Sequence, residues 1–138
     1  MAFYLRSRLQ PARQKTPFRS KRAPKISLEA YIARLAKYSR VGPETHVHAL
    51  IYLQRLLQQL DGVSLCHENV FKLYFIALVL ASKYNEDRRL SNEAFEKVGG
   101  VKVAEIAVLE ILFLKWIRFR LEVTPESFQR QLRELLVK

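Results

Sequence analysis

A chain of 138 residues with 24 Lys plus Arg against 13 Asp plus Glu carries a net charge of +11 and a pI near 10.1. Its 49% hydrophobic and 27% charged residues are a globular composition, and the length suits one domain rather than two lobes around a cleft. A single cysteine, Cys66, excludes a disulfide framework or a cysteine-rich zinc module, 4 Gly and 5 Pro are too few for a turn-rich all-β chain, and no apolar stretch approaches the roughly 20 residues of a membrane span.

The charge is unevenly spread. Residues 1–26 hold eight basic groups and no acid, whereas 16 basic groups face 13 acids in the remainder, a net of +3. Pro11, Pro17 and Pro24 punctuate the basic stretch. Each removes an N–H donor and disfavours helix in the residue before it. Residues 1–25 therefore read as an extended basic arm, 26–123 as a helical unit and 124–138 as a short C-terminal helix.

In chain order, the first predicted helix covers about 27–39, with Ser27 as N-cap and Leu28, Tyr31, Ile32 and Leu35 as its buried stripe. A second, about 44–60, has a broad apolar face including Val47, Leu50, Leu53 and Leu57. The third, about 67–85, differs: from Val70 to Ala81 only Lys72 is charged, so apolar groups point all round and this helix belongs in the middle. A short amphipathic helix follows at about 92–98 and ends at Gly99-Gly100, read as a helix terminus and turn. The fifth, about 102–118, is apolar on most sides. A last helix, about 126–137, is preceded by Thr124 as N-cap, with Pro125 at the first helical position.

Two charges stand where charge is costly. Val103, Ile106, Ala107, Phe113, Leu114 and Ile117 make an apolar stripe with Glu110 in its middle, and an unpaired carboxylate there would cost several kcal/mol, on the order of a lost buried ion's hydration, or protonate. Lys83 closes the central helix on one face with Lys72, Ile76 and Val79. Either Lys83 and Glu110 form a structural ion pair, or they meet at the rim of an apolar surface and offer their remaining hydrogen bonds to a partner.

The stretch Leu80-Ala81-Ser82-Lys83-Tyr84-Asn85-Glu86-Asp87, the later Phe95-Glu96-Lys97-Val98-Gly99-Gly100-Val101, and Leu109-Glu110 followed by Phe119-Arg120-Leu121 resemble a cyclin box, more narrowly that of the Pho-type (P- or U-type) cyclins. Tyr31-Ile32-Ala33-Arg34-Leu35 and Tyr52-Leu53-Gln54-Arg55-Leu56 are similar to that group's first two helices. The resemblance implies an all-α, five-helix cyclin box around a central buried helix, and a role as the activating subunit of a cyclin-dependent kinase in a heterodimer. It implies that Lys83 and Glu110 anchor the kinase's N-terminal lobe, and that Ile76, Leu80, Ala81, Tyr84, Leu114, Phe119 and Leu121 belong to the apolar seat for the kinase's αC helix. The chain departs from the group's usual pattern at Lys102 (usually Ser or Thr), Ala107 (usually Asn) and Arg118 (commonly Asp), departures that bear on which kinase is bound.

The other features carry no chemistry of their own. His46 and His48 are two apart, on different sides of a helix, and Cys66-His67 are adjacent, so neither pair has metal-ligand or nucleophile spacing. No catalytic residue, cofactor or metal is expected. The arm reads as a solvated linker, or as a nuclear-localisation signal at Arg19, Lys21 and Arg22, while its opening Phe3 to Leu9 also has the composition of a transit peptide. Nuclear or cytoplasmic localisation is expected. The rival class is a cyclin-fold transcription factor that uses the arm to attract nucleic-acid phosphates, though the helical part shows no basic stripe interleaved with aromatics.

Overall fold

The computed structural model describes residues 1–10, 16–20, 25–60 and 63–136. Among these it contains seven helices and no strand: α1 (Ala2–Ser7), α2 (Leu28–Tyr38), α3 (Pro43–Gln59), α4 (Val70–Asn85), α5 (Asn92–Gly99), α6 (Val103–Trp116) and α7 (Pro125–Leu136). No described helix is long and apolar enough to cross a membrane.

Local chemistry sets three of the helix starts and one of the ends. Ser27 Oγ accepts the Ala30 N–H at 3.1 Å, Ser91 Oγ that of Ala94 at 3.2 Å, and Thr124 Oγ1 that of Ser127 at 3.1 Å. α5 ends on Gly100, whose φ of +72° is the left-handed cap that glycine adopts without strain. Lys102 gives α6 no side-chain cap; Glu96 Oε1 of α5 reaches across and accepts the Val103 N–H at 2.9 Å. The central helix begins at Val70 rather than at about 67, because residues 66–69 form a turn in which Asn69 Oδ1 accepts the Cys66 N–H and Asn69 Nδ2 donates to the Ser64 carbonyl.

α4 is the hub. Every residue from Val70 to Ser82 except Lys72 is buried. It packs along α3 and is flanked by α6 and α2, while α5 bridges α2 and α6, and α7 lies on α3. Burying each large apolar side chain contributes about 1.5–3 kcal/mol, so this one helix supplies much of the drive to fold.

The N-terminal segment is not an extended arm. Residues 2–7 are helical, Leu5 is fully buried, and Phe18 is fully buried against the α6 rings, 6.0 Å from Phe113 and 5.7 Å from Trp116 between centroids. Arg6 pairs bidentately with Glu29 of α2 through Nε and Nη2, which raises the arginine pKa and lowers that of the carboxyl. Backbone bonds from Gln10 N–H to Leu65 O and Ser20 N–H to Glu68 O, both 2.7 Å, tie the segment down. Prolines exclude helix only next to themselves, and isolated apolar residues such as Leu5 and Phe18 show no periodicity. Nothing local therefore announces that the body holds seats for them. Lys21 and Arg22 lie outside the described residues; Arg19 is half-buried.

At the α5–α4 contact a Cβ built on Gly99 would lie 2.1 Å from Phe75 Cε1, and Phe75 is fully buried in α4. Gly99→Ala is therefore expected to lower stability by about 1–3 kcal/mol, although Ala is intrinsically the better helix former by roughly 1 kcal/mol. Urea denaturation of the variant beside Gly100→Ala checks this. At Gly100 nothing lies within 4 Å and only the strained positive φ is penalised, so a loss at position 99 no larger than at 100 would contradict the packing account.

α3 carries two half-buried histidines. His46 Nδ1 lies 2.7 Å from the Tyr74 hydroxyl, its Nε2 is buried without a partner, and His48 sits between the Tyr52 and Phe128 rings. Burial pushes both pKa values down, aided for His46 by the N-terminal amine and for His48 by Arg55, while Glu44 opposes at His48. The unfolded chain thus takes up protons that the native chain refuses. Stability is complete above the unfolded histidine pKa of about 6.5 and declines as pH falls below it, by at most about 1.4 kcal/mol per pH unit for His46 and less for the partly solvated His48. Urea midpoints between pH 7 and 5 should fall for the wild type and flatten in His46→Gln.

Candidate functional site

α4 and α6 meet through two ion pairs. Lys72 Nζ lies 2.7 Å from Glu105 Oε2, and at the other end of the contact Lys83 Nζ lies 2.7 Å from Glu110 Oε1. Glu110 follows from the α6 repeat: Ile106, Leu109, Glu110, Phe113 and Ile117 make the buried stripe, so its carboxylate emerges at the edge of the core beside the last turn of α4. The side chain of Glu110 is 11% exposed and that of Lys83 32%. Charge is balanced within the pair, but hydrogen bonding is not complete. Oε1 is itself buried and faces the Lys83 ammonium, whereas Oε2 receives only a long 3.5 Å contact from Asn92 Nδ2. The capacity left on Oε2, in a side chain 11% exposed, can take a donor from a second molecule.

The pair borders a shallow apolar depression of about 360 Å³ lined by Leu80, Lys83, Tyr84, Glu110, Ile111, Leu114 and Leu121. No residue of α7 lines it, because α7 packs on α3 instead. Large apolar groups stand open around it: Tyr84 is 51% exposed, Ile111 54% and Phe119 65%. The residues anticipated from sequence divide. Leu80, Tyr84, Leu114 and Leu121 line the depression with Lys83 and Glu110, and Phe119 stands at the neighbouring edge. Ile76 and Ala81 are fully buried and support this surface from beneath without being able to touch a visitor. Ala107, placed in the buried α6 stripe, is exposed.

Ile111 lines the depression, and Val108, at 56% exposure, continues the same open face of α6. Both were missed, because a helix apolar on most sides does not announce which side stays open.

The segment after α6 is held by α3. Tyr52 donates its hydroxyl to the Leu121 carbonyl at 2.7 Å, while Arg55 donates to the carbonyls of Arg120 at 2.6 Å and Glu122 at 2.7 Å. Arg118 and Phe119 both have φ of +56°, a left-handed pair that costs non-glycine residues roughly 1–2 kcal/mol each. The clamp on three successive carbonyls sustains that conformation and presents Phe119 and Leu121 beside Tyr84. Tyr52 and Arg55 are thus positioning residues, visible in the sequence only inside the Tyr52–Leu56 match.

Glu86, in the same acidic stretch as Lys83, faces away from the depression. Its Oε1 accepts the Thr45 hydroxyl at 2.6 Å and the Gly42 N–H at 3.0 Å, which together hold its pKa below the usual range. It serves the start of α3 rather than the exposed surface.

A sequence model of the cyclin family matches residues 5–121. The chain is 38% identical over 126 residues to cyclin-P2-1 of rice, an alignment covering 91% of this chain and 58% of that protein. It is 37% identical over 113 residues to rice cyclin-P3-1, covering 82% and 48%, and 32% identical over 112 residues to cyclin-U2-1 of Arabidopsis thaliana, covering 81% and 50%. The chain spans about half the length of these curated relatives.

Proposed function

This chain belongs to the cyclin family, and from that premise we propose that it binds a cyclin-dependent protein kinase through the α4–α6 surface and favours the active placement of the kinase's αC helix. The observation that carries the reading is the semi-buried Lys83–Glu110 pair at the edge of an open apolar depression.

The work asked of the surface is modest. An active kinase needs its β3 lysine paired to the αC glutamate, and a subunit shifts that equilibrium only by its differential affinity for the two states. Moving a kinase from 1:99 to 99:1 takes about 5.5 kcal/mol, equal to roughly 220 Å² of apolar surface at about 25 cal/mol per Å². Tyr84, Ile111, Leu114, Phe119 and Leu121 can supply that area. Lys83 and Glu110 would fix the register by pairing with groups at an end of the docked helix. On this reading the chain does no chemistry itself and acts only through the kinase.

The test is to mix the purified chain with inactive, monomeric catalytic subunits of cyclin-dependent kinases and measure complex formation by size-exclusion chromatography, with histone phosphorylation as readout. A one-to-one complex with raised activity is expected for at least one kinase; the absence of any complex would overturn the proposal. Among the described residues the basic segment is not a free tail poised for nucleic acid, since Leu5 and Phe18 belong to the core and Arg6 is paired with Glu29.

A further inference from the structure

Beside the depression just described lies a second one of about 530 Å³, lined by Arg55, Tyr84, Phe119, Arg120, Leu121, Glu122 and Thr124. Arg55 is only half exposed, yet no carboxylate lies within 4 Å of it or of Arg120 among the described residues. Burial pushes its pKa down, Tyr52 opposes, and the nearby Arg120 adds to the lowering. Its bonds to the Arg120 and Glu122 carbonyls employ two of five N–H donors and fix the plane of the guanidinium. The Arg120 side chain makes no bond among the described residues, leaving its full fork of donors free. Glu122 is exposed and pairs with neither arginine. The depression therefore has two cations and room for an anion.

Thr124 supplies the place to attach one. It is exposed, it precedes Pro125, and its hydroxyl donates to Ser127 Oγ at 3.0 Å while accepting the Ser127 N–H. A kinase active site that leaves the following amide nitrogen without an acceptor selects this dipeptide, since proline alone has no N–H to leave unpaired. We propose that Thr124 is a phosphorylation site for a proline-directed protein kinase, and that Arg55 and Arg120 receive the phosphate. Thr124 Oγ1 attacks the γ-phosphorus of ATP and gives its proton to the catalytic base of that kinase. The bond from phosphorus to the bridging oxygen breaks, and ADP leaves with the electron pair. The new group carries about −1.5 to −2 charge and three acceptor oxygens, which two planar guanidinium forks can bind bidentately. The inference does not require a kinase on the neighbouring α4–α6 surface.

The full chain is incubated with ATP and a proline-directed kinase, the sites are mapped by mass spectrometry, and the phosphate is titrated by ³¹P NMR. Label on Thr124, absent there in Thr124→Val, is expected. The second phosphate pKa should lie at least half a unit below its ordinary value of about 6 and return towards it in Arg120→Gln, a variant whose altered side chain holds no internal bond. Arg55→Gln should do the same if circular dichroism shows it folded. Phosphorylation confined to the chain's other Thr-Pro pair, Thr16-Pro17, would overturn the proposal, as would a titration identical in wild type and Arg120→Gln.

Discussion

Lys83→Glu is expected to weaken kinase binding by about 30-fold or more, the effect of breaking a close charge pair at an interface, roughly 2–5 kcal/mol. The substitution places a second carboxylate where the ammonium now sits 2.7 Å from Glu110, and it inverts the charge offered to the partner. Some loss of stability will accompany it, because Glu110 is left at the core edge without its counter-ion. The exchange Lys83→Glu with Glu110→Lys separates the two effects. It restores an ion pair across α4 and α6, so thermal stability should recover towards that of the parent, but it reverses the pair's direction, so binding should stay lost. Calorimetric Kd values and melting curves on the same samples check both. Recovery of binding in the exchanged variant would show the pair to be a strut of the fold and remove the main support for the docking surface.

Phe18→Ala is expected to cost about 3–5 kcal/mol, as for a large aromatic removed from a packed core. The ring has no solvent exposure and packs edge-on to Phe113 and against Trp116. Were the basic segment solvated, the same change would fall within about 0.5 kcal/mol of neutral. Urea denaturation measures the difference, and Trp116, the only tryptophan, reports it by fluorescence. The result also bears on function, because Phe18 braces α6, the helix that carries Glu110 and Leu114.

Most of the helical unit could be read directly from residue order. Ser27 and Thr124 each hold a cap that depends only on a hydroxyl and an amide three residues on. The near-continuous apolar run from Val70 to Ala81 could be satisfied only by neighbours on every side, which is the place α4 occupies. Glu110 stood out because a carboxylate inside an apolar repeat needs a partner, and Lys83 meets it.

The parts that could not be read share one property: they depend on which surfaces remain uncovered. Ile76 and Lys83 lie on one face of α4 by spacing, yet α3, α6 and α2 bury the first and leave the second at the edge. Val108 and Ile111 are as apolar as Leu109 and Phe113, and only the packing of α6 against α4 and α5 decided which pair would face solvent.

The helices from α2 onward, the hydroxyl caps and the buried centre were thus set by the order of residues along the chain, because hydrogen bonds within a turn and the 3.6-residue period are short-range effects. The seating of Leu5 and Phe18, the arginine clamp on residues 120–122 and the open flank beside Lys83 were decided by tertiary structure. They arise from contacts between residues from about 25 to about 100 positions apart, and whether a side chain is buried depends on every other element that could have covered it.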